Sequence, residues 1–108
     1  MIRVLESDHH YHLKSPLPKD YSQLGRLLIP KVKDGWSYNG DPERPTFSPS
    51  VKTTHGRGER VNHYFVRDGW IDFCPDSTHG LAGQSVELPA FTEDEIARHT
   101  VSPENWKP

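Results

Sequence analysis

At 108 residues, 32% of them hydrophobic, with a mean hydropathy of −0.81 and a formal net charge of −2, the chain can build one small core and not two. The near-neutral charge excludes the basic surface that drives nonspecific nucleic-acid binding, and no apolar run is long enough for a membrane span or a signal-peptide core. The single cysteine, Cys74, rules out an internal disulfide and fits a reducing, cytoplasmic setting. Ten prolines and eight glycines favour turns over long helices. Three Trp, four Tyr and four Phe in strand-like runs argue against disorder.

In chain order, residues 2–5 are a short β-prone run that residues 11–13 continue or pair with, and residues 15–20 are a Pro-rich connection. Residues 24–30 are apolar and ambiguous between a strand and a helical turn; Pro30 and the Gly25-Arg26 start favour a strand. Lys33-Asp34-Gly35 turns the chain into an aromatic strand, Trp36-Ser37-Tyr38-Asn39-Gly40, closed by an Asn-Gly turn. Residues 41–45 are a loop, and Pro45 and Pro49 restrict residues 46–52 to an edge or irregular strand. Residues 53–60 are polar, carry two glycines and read as a mobile loop.

The most informative stretch follows. Asp68-Gly69 between two aromatic-rich runs is a strong hairpin signal, because both residues tolerate the positive φ of a type I′ turn. A two-residue turn fixes the register: Arg67 opposite Trp70, Val66 opposite Ile71, Phe65 opposite Asp72, Tyr64 opposite Phe73 and His63 opposite Cys74. Alternation then puts Tyr64, Val66, Ile71 and Phe73 on a core face and His63, Phe65, Asp72 and Cys74 on the other. Pro75 ends the strand, with Asp76 and His79 expected near the same end. Residues 81–83 turn into a last strand over 85–88.

One helix is well signalled. Thr92 caps it, Glu95 completes a capping box, Phe91 and Ile96 form a hydrophobic staple, and Glu93, Asp94 and Glu95 suit its positive terminus. It is expected to reach Arg98 or His99, followed by a tail over 101–108 in which Trp106 can dock. The expected fold is mainly β: a small antiparallel β-sandwich or open barrel with one short C-terminal α-helix. It forms a single domain, with N-terminal strands and a Pro-rich loop over 1–33, a motif-bearing core over 34–89, and the helix and tail over 90–108.

Three constellations bear on function. His63, Cys74, Asp76 and His79 offer imidazole, thiolate and carboxylate, a ligand set for zinc or ferrous iron that would activate a bound water. The same groups can instead form a hydrolytic relay, in which Asp76 or Asp72 orients a histidine that activates Ser50 or Ser48. The bland alternative is a half-buried strand histidine beside an Asp-Ser turn cap. Second, Asp8-His9-His10-Tyr11-His12 is His-rich, and His12 is the member that β pairing could bring to the hairpin; solvated histidines are the simpler reading. Third, Trp36, Tyr38, Asn39 and Arg44, with Thr46 and Ser48, could hold a nucleobase or peptide, although aromatics in a core-poor domain more often are its core. Cys74 as a papain-type nucleophile is weakened by Pro75, which stands where a helix N-terminus would lower the thiol pKa.

Gly35-Trp36-Ser37-Tyr38-Asn39-Gly40, Arg44-Pro45-Thr46-Phe47-Ser48-Pro49-Ser50-Val51, His63-Tyr64-Phe65-Val66-Arg67-Asp68-Gly69 and the run from Asp76-Ser77-Thr78-His79-Gly80 through Leu81-Ala82-Gly83-Gln84-Ser85-Val86-Glu87-Leu88-Pro89 occur in this order. They resemble a small prokaryotic family of phages, prophages and bacterial ubiquitin-like conjugation operons, often mislabelled ammonia monooxygenase. Members of that family often carry a Cys-Pro-x-Cys pair near the N-terminus and cysteines flanking the positions of His63 and Asp76, a set that looks like a structural zinc site. This chain has His9, His10 and His12, then Asn62 and Ser77, at those places. A cysteine zinc site therefore cannot form, and what is retained is His63, Asp76, His79, Ser50, Trp36 and Asn39.

The leading expectation is a small phage-type hydrolase. Catalysis falls to His63, Asp76 and His79, with Ser50 or a metal ion (zinc, held by His63, Asp76, His79 and His12) supplying the nucleophile. Its substrate would be a peptide or isopeptide bond of a ubiquitin-like conjugate, or a nucleotide ester. The competing expectation is a non-catalytic module in which Trp36, Tyr38, Asn39 and Arg44 bind a small nucleotide signal or a host or phage protein. A third is a structural accessory whose hairpin cluster only stabilises a core-poor fold.

Overall fold

A computed structural model of the chain describes residues 1–17 and 25–100. Eight antiparallel strands form two sheets. The first sheet has the order β1-β2-β3, from β1 (Val4–Glu6), β2 (His10–Lys14) and β3 (Arg26–Pro30). The second has the order β4-β5-β6-β7-β8, from β4 (Ser37–Tyr38), β5 (Phe47–His55), β6 (Arg60–Arg67), β7 (Trp70–Phe73) and β8 (Ser85–Glu87). Among the described residues there is one helix, α1, spanning Glu93–Thr100. The mainly β architecture expected from the sequence is found as two open sheets sharing one core, with no closed barrel.

That core is small because each sheet contributes one face. Val4, Leu13, Leu17, Leu27 and Ile29 from the first sheet and its flank meet Phe47, Val51, Tyr64, Val66, Ile71, Phe73 and Leu88 from the second. Tyr11, Tyr38 and Phe47 seal the junction with ring centroids 4.7–5.2 Å apart. Tyr64, 1% exposed, is the largest fully buried side chain, and burial pushes its phenol pKa up.

The hairpin register is the one the turn dictates. Tyr64, Phe65, Val66 and Arg67 pair with Phe73, Asp72, Ile71 and Trp70, and Asp68 and Gly69 have φ of 50° and 82°. Further upstream the strands differ from expectation. Residues 53–60 are not a loop: β5 continues to His55, because Thr53 and Thr54 pair with Asn62 and Val61, and only a short turn separates β5 from β6. The irregularity expected at Pro49 is present as a shift in the β5–β6 register between Phe47 and Val51. There residues 48–50 stand opposite Phe65 alone. The aromatic strand is short, only Ser37–Tyr38.

The capping box is formed as expected. Thr92 N–H donates to Glu95 Oε1 at 2.9 Å, and Glu95 N–H donates to Thr92 Oγ1 at 3.1 Å. Helix α1 then lies against the outer face of the first sheet, where Lys14 Nζ reaches Glu95 Oε1 at 2.9 Å and Arg26 stands over the Phe91 ring. The 101–108 tail and Trp106 lie outside the described residues, as does the second half of the Pro-rich connection.

The Lys14 and Thr92 bonds hold the Glu95 carboxyl at a pKa of about 2, against an ordinary 4.5. A depressed carboxylate contributes stability that is complete above pH 4.5 and is lost as pH falls from 4.5 towards 2. Glu95→Gln is expected to flatten the fall of the urea midpoint across that window. Thr92→Ala is expected to cost about 1 kcal/mol at neutral pH, read from the same unfolding curves.

Candidate functional site

The outward face of β6 carries the site. Because His63 pairs with Lys52 across β5, alternation puts Ser50, two residues before Lys52, on the same face as His63. The irregularity at residues 48–50 swings Ser50 onto the imidazole: Ser50 Oγ lies 3.0 Å from His63 Nε2. On the other side, His63 Nδ1 lies 2.9 and 3.1 Å from the two carboxylate oxygens of Asp76.

Asp76 arrives there by an arrangement the hairpin alone does not supply. Pro75 ends β7, and the following residues substitute side chains for ladder bonds. Ser77 Oγ accepts from His63 N–H and donates to His63 O, both at 3.0 Å. Thr78 Oγ1 accepts from Val61 N–H at 2.8 Å, and Thr78 N–H donates to Val61 O. Cys74 N–H completes the set by donating to His63 O at 2.8 Å. Residues 74–78 thus run along β6 as a side-chain-bonded extension of β7, with Asp76 beside His63. The sequence reading has Ser77 as part of a turn cap and gives Thr78 no role; two hydroxyl residues directly after Pro-Asp at a strand end are the signal for their bonds to β6.

Proton positions follow from the partners. The hydrogen bond from His63, aided by the charges of His63 and Lys52, holds the Asp76 carboxyl below the usual carboxylate range. Lys52 Nζ stands 3.6 Å from Asp76 Oδ2. An ionised carboxylate only accepts, so His63 Nδ1 is the donor to Asp76, an arrangement that in the neutral tautomer leaves Nε2 to accept from the Ser50 hydroxyl. The result is a directed chain, Ser50 O–H to His63 Nε2 and His63 Nδ1–H to Asp76, with the His63 side chain 24% exposed and Asp76 50% exposed. Trp36 fixes the backbone of the serine: its indole Nε1–H donates to Ser50 O at 3.2 Å.

The other candidate residues go elsewhere. His79 was expected to converge with His63 and Asp76 but lies on the core face. Neighbouring Asn62 and His63 point to opposite faces of β6, and His79 Nε2 bonds Asn62 Oδ1 at 3.1 Å while its Nδ1 accepts from Leu81 N–H. Its ring packs edge-on to Phe73, and burial lowers its pKa, which keeps it neutral. His12 does not reach the hairpin. It faces α1 from the first sheet, between Ser7, Arg26 and His99. Tyr38 is stacked on Phe47, and burial raises its pKa to about 12. Asn39 clamps its own loop, donating to Arg44 O and accepting from Asp41 and Thr46 N–H. Arg44 is exposed, 3.9 Å from Asp68.

Three of the four residues of the first constellation do come together, without His79 and without His12. Ligand atoms of His63, Cys74 and Asp76 lie within 4.8 Å of one another, a trio that could hold an ion. Its donors suit zinc in kind. Binding would require His63 to give up its bond to Asp76, and Cys74 to ionise against a pKa raised by burial and by the Asp76 charge.

Two outcomes test this geometry. A strongly deshielded His63 Nδ1–H proton should appear in ¹H–¹⁵N spectra and vanish in Asp76→Asn. Trp36→Phe, which keeps an aromatic ring but removes the indole N–H, should shift the Ser50 amide resonance while leaving the melting temperature within a few degrees.

No curated protein and no solved structure matches the chain. A family model does match, over residues 22–74, just under half of the sequence. The matched span contains Trp36, Ser50 and His63 and stops two residues before Asp76. Among the described residues no helix is long and apolar enough to cross a membrane. The family the chain is similar to over that span is described as the bacterial ubiquitination-like system serine protease BubE.

Proposed function

We propose that the protein is a serine hydrolase acting on conjugates of a ubiquitin-like protein. Ser50 is the nucleophile, His63 the general base and Asp76 the group that orients it. The observation that carries this reading is the unbroken chain from Ser50 Oγ through His63 to Asp76 at 3.0 and 2.9 Å. The similarity to a family described as a serine protease supports the same assignment.

The chemistry follows from those contacts. Ser50 Oγ attacks the carbonyl carbon at the C-terminus of the ubiquitin-like moiety as His63 Nε2 takes the hydroxyl proton. The imidazolium so formed is stabilised by the Asp76 carboxylate. Collapse of the tetrahedral intermediate breaks the bond to the conjugated amine or hydroxyl, which leaves with the proton from Nε2. An acyl ester on Ser50 remains. A water then attacks that ester, its proton passes to His63, and His63 returns a proton to Ser50 Oγ as the acid product departs. Lys52 limits the protonation of Asp76, and the Trp36 bond to Ser50 O holds the nucleophile's backbone still. His79 has no step here; it supports β6 from beneath through Asn62.

A second reading rests on the His63, Cys74 and Asp76 trio, which would hold a metal ion able to activate water for hydrolysis. The two readings separate cleanly. With a ubiquitin-like protein joined through its C-terminus to a lysine peptide as substrate, Ser50→Ala is expected to lower turnover to background with the fold intact, and Asp76→Asn by roughly 10⁴-fold. EDTA dialysis and Cys74→Ala are expected to leave turnover in place. Loss of activity on chelation, restored by zinc, with Ser50→Ala still active, would give the site to the metal.

A further inference from the structure

The nucleophile sits at the start of an open strand edge. His63 O is bonded from the β7 side by Cys74, and Val61 O by Thr78, so the main-chain groups of these residues point away from β5. Those of Arg60, Asn62 and Tyr64 therefore point at β5, facing His55, Thr53 and Val51, their register partners. The alternate residues of β5, Lys52 and Thr54, aim their N–H and C=O groups at its opposite edge. On that edge β4 pairs only at Phe47 and Ser48, and the next carbonyl, Ser50 O, is taken by the Trp36 indole. Beyond Trp36, among the described residues, no strand pairs with Lys52 and Thr54. The Lys52 ammonium is drawn towards Asp76.

We infer that this edge binds the acyl side of the substrate as an added antiparallel strand, an inference that rests on the serine-hydrolase reading. Every strand pair in the sheet is antiparallel, and an unpaired edge next to a reactive group is a site for strand addition. Direction then decides which end of the peptide reacts. Strand β5 runs from Phe47 to His55, so an antiparallel peptide enters beside Thr54, passes Lys52 and arrives at Ser50 with its C-terminal end. The Trp36 indole ends the edge at that point, which stops the strand with its last carbonyl at Ser50 Oγ. At about 3.3 Å per residue, the run from Thr54 to Ser50 takes about four peptide residues. The partner is therefore an extended, flexible C-terminal tail, recognised through its main chain, and not a folded surface.

The test is a series of p-nitrophenyl esters with acyl groups from acetyl to hexapeptidyl, hydrolysed by the full chain. kcat/KM should rise by about tenfold or more as the acyl group reaches about four residues, the effect of one or two net main-chain hydrogen bonds, and then level off. N-methylation of the tetrapeptidyl ester should cancel the gain at alternate amides only, with a period of two. Thr54→Pro removes one edge donor without touching a β6 bond, and proline is tolerated at such an edge. It should reduce the ratio of tetrapeptidyl to acetyl ester turnover to near one. Turnover with no length dependence, or with equal sensitivity to methylation at every amide, overturns the edge assignment and leaves the Ser50 mechanism standing. No turnover of any ester contradicts the serine mechanism, and the edge assignment falls with it.

Discussion

The pairing of β5 with β6 is the constraint on which the rest depends. Its register puts Lys52 opposite His63 and so places Ser50, His63 and the approach to Asp76 on one face. It also turns Val51, Tyr64 and Val66 into the core, each 3% exposed or less. A slip of one residue would exchange those faces, burying His63 and exposing Tyr64. The same register that closes the small core thus builds the site. Two features protect it: the two-residue turn at Asp68-Gly69 on one flank of β6, and the short turn between His55 and Arg60 on the other.

Much of this could be read from the residues, and the parts that could not have a common cause. The hairpin register followed from Asp68-Gly69, and the capping box from Thr92 and Glu95, because both are set by local backbone geometry. The Ser50–His63–Asp76 grouping was among the alternatives because hairpin alternation fixes the facing of His63, whereas the β5–β6 register that brings Ser50 to it is not a local property. His79 and His12 were misplaced because their positions depend on long-range packing. His79 is on the core side because Asn62, buried in β6, gives it a partner there. His12 is held under α1, far away in sequence, by contacts with Arg26 and His99. The extension of β5 through polar Thr53 and Thr54 was hidden for another reason: an outward-facing strand need not be apolar, and a threonine-rich run reads as a loop.

The candidate site lies where the fold is least regular. The irregular residues 48–50 bring the serine to the imidazole, and the segment after Pro75 brings the carboxylate by using Ser77 and Thr78 hydroxyls in place of backbone partners. Both departures lie on the solvent face, so neither disturbs the shared core. Asn62 and Ser77, next in sequence to His63 and Asp76, both bear hydrogen bonds: Asn62 to His79 and Ser77 to the His63 backbone. These side chains hold the His63 region in place. The one thiol, Cys74, has its pKa raised by burial and by the Asp76 charge, which disfavours the thiolate.

Activation of the Ser50 hydroxyl by His63 is read out by covalent labelling with a small fluorophosphonate, with the modified residue located by peptide mass spectrometry. A single adduct on Ser50 is expected, with a rate of formation that collapses in His63→Ala. An unlabelled protein, an adduct on another residue, or labelling of Ser50 at the same rate without His63 would contradict it.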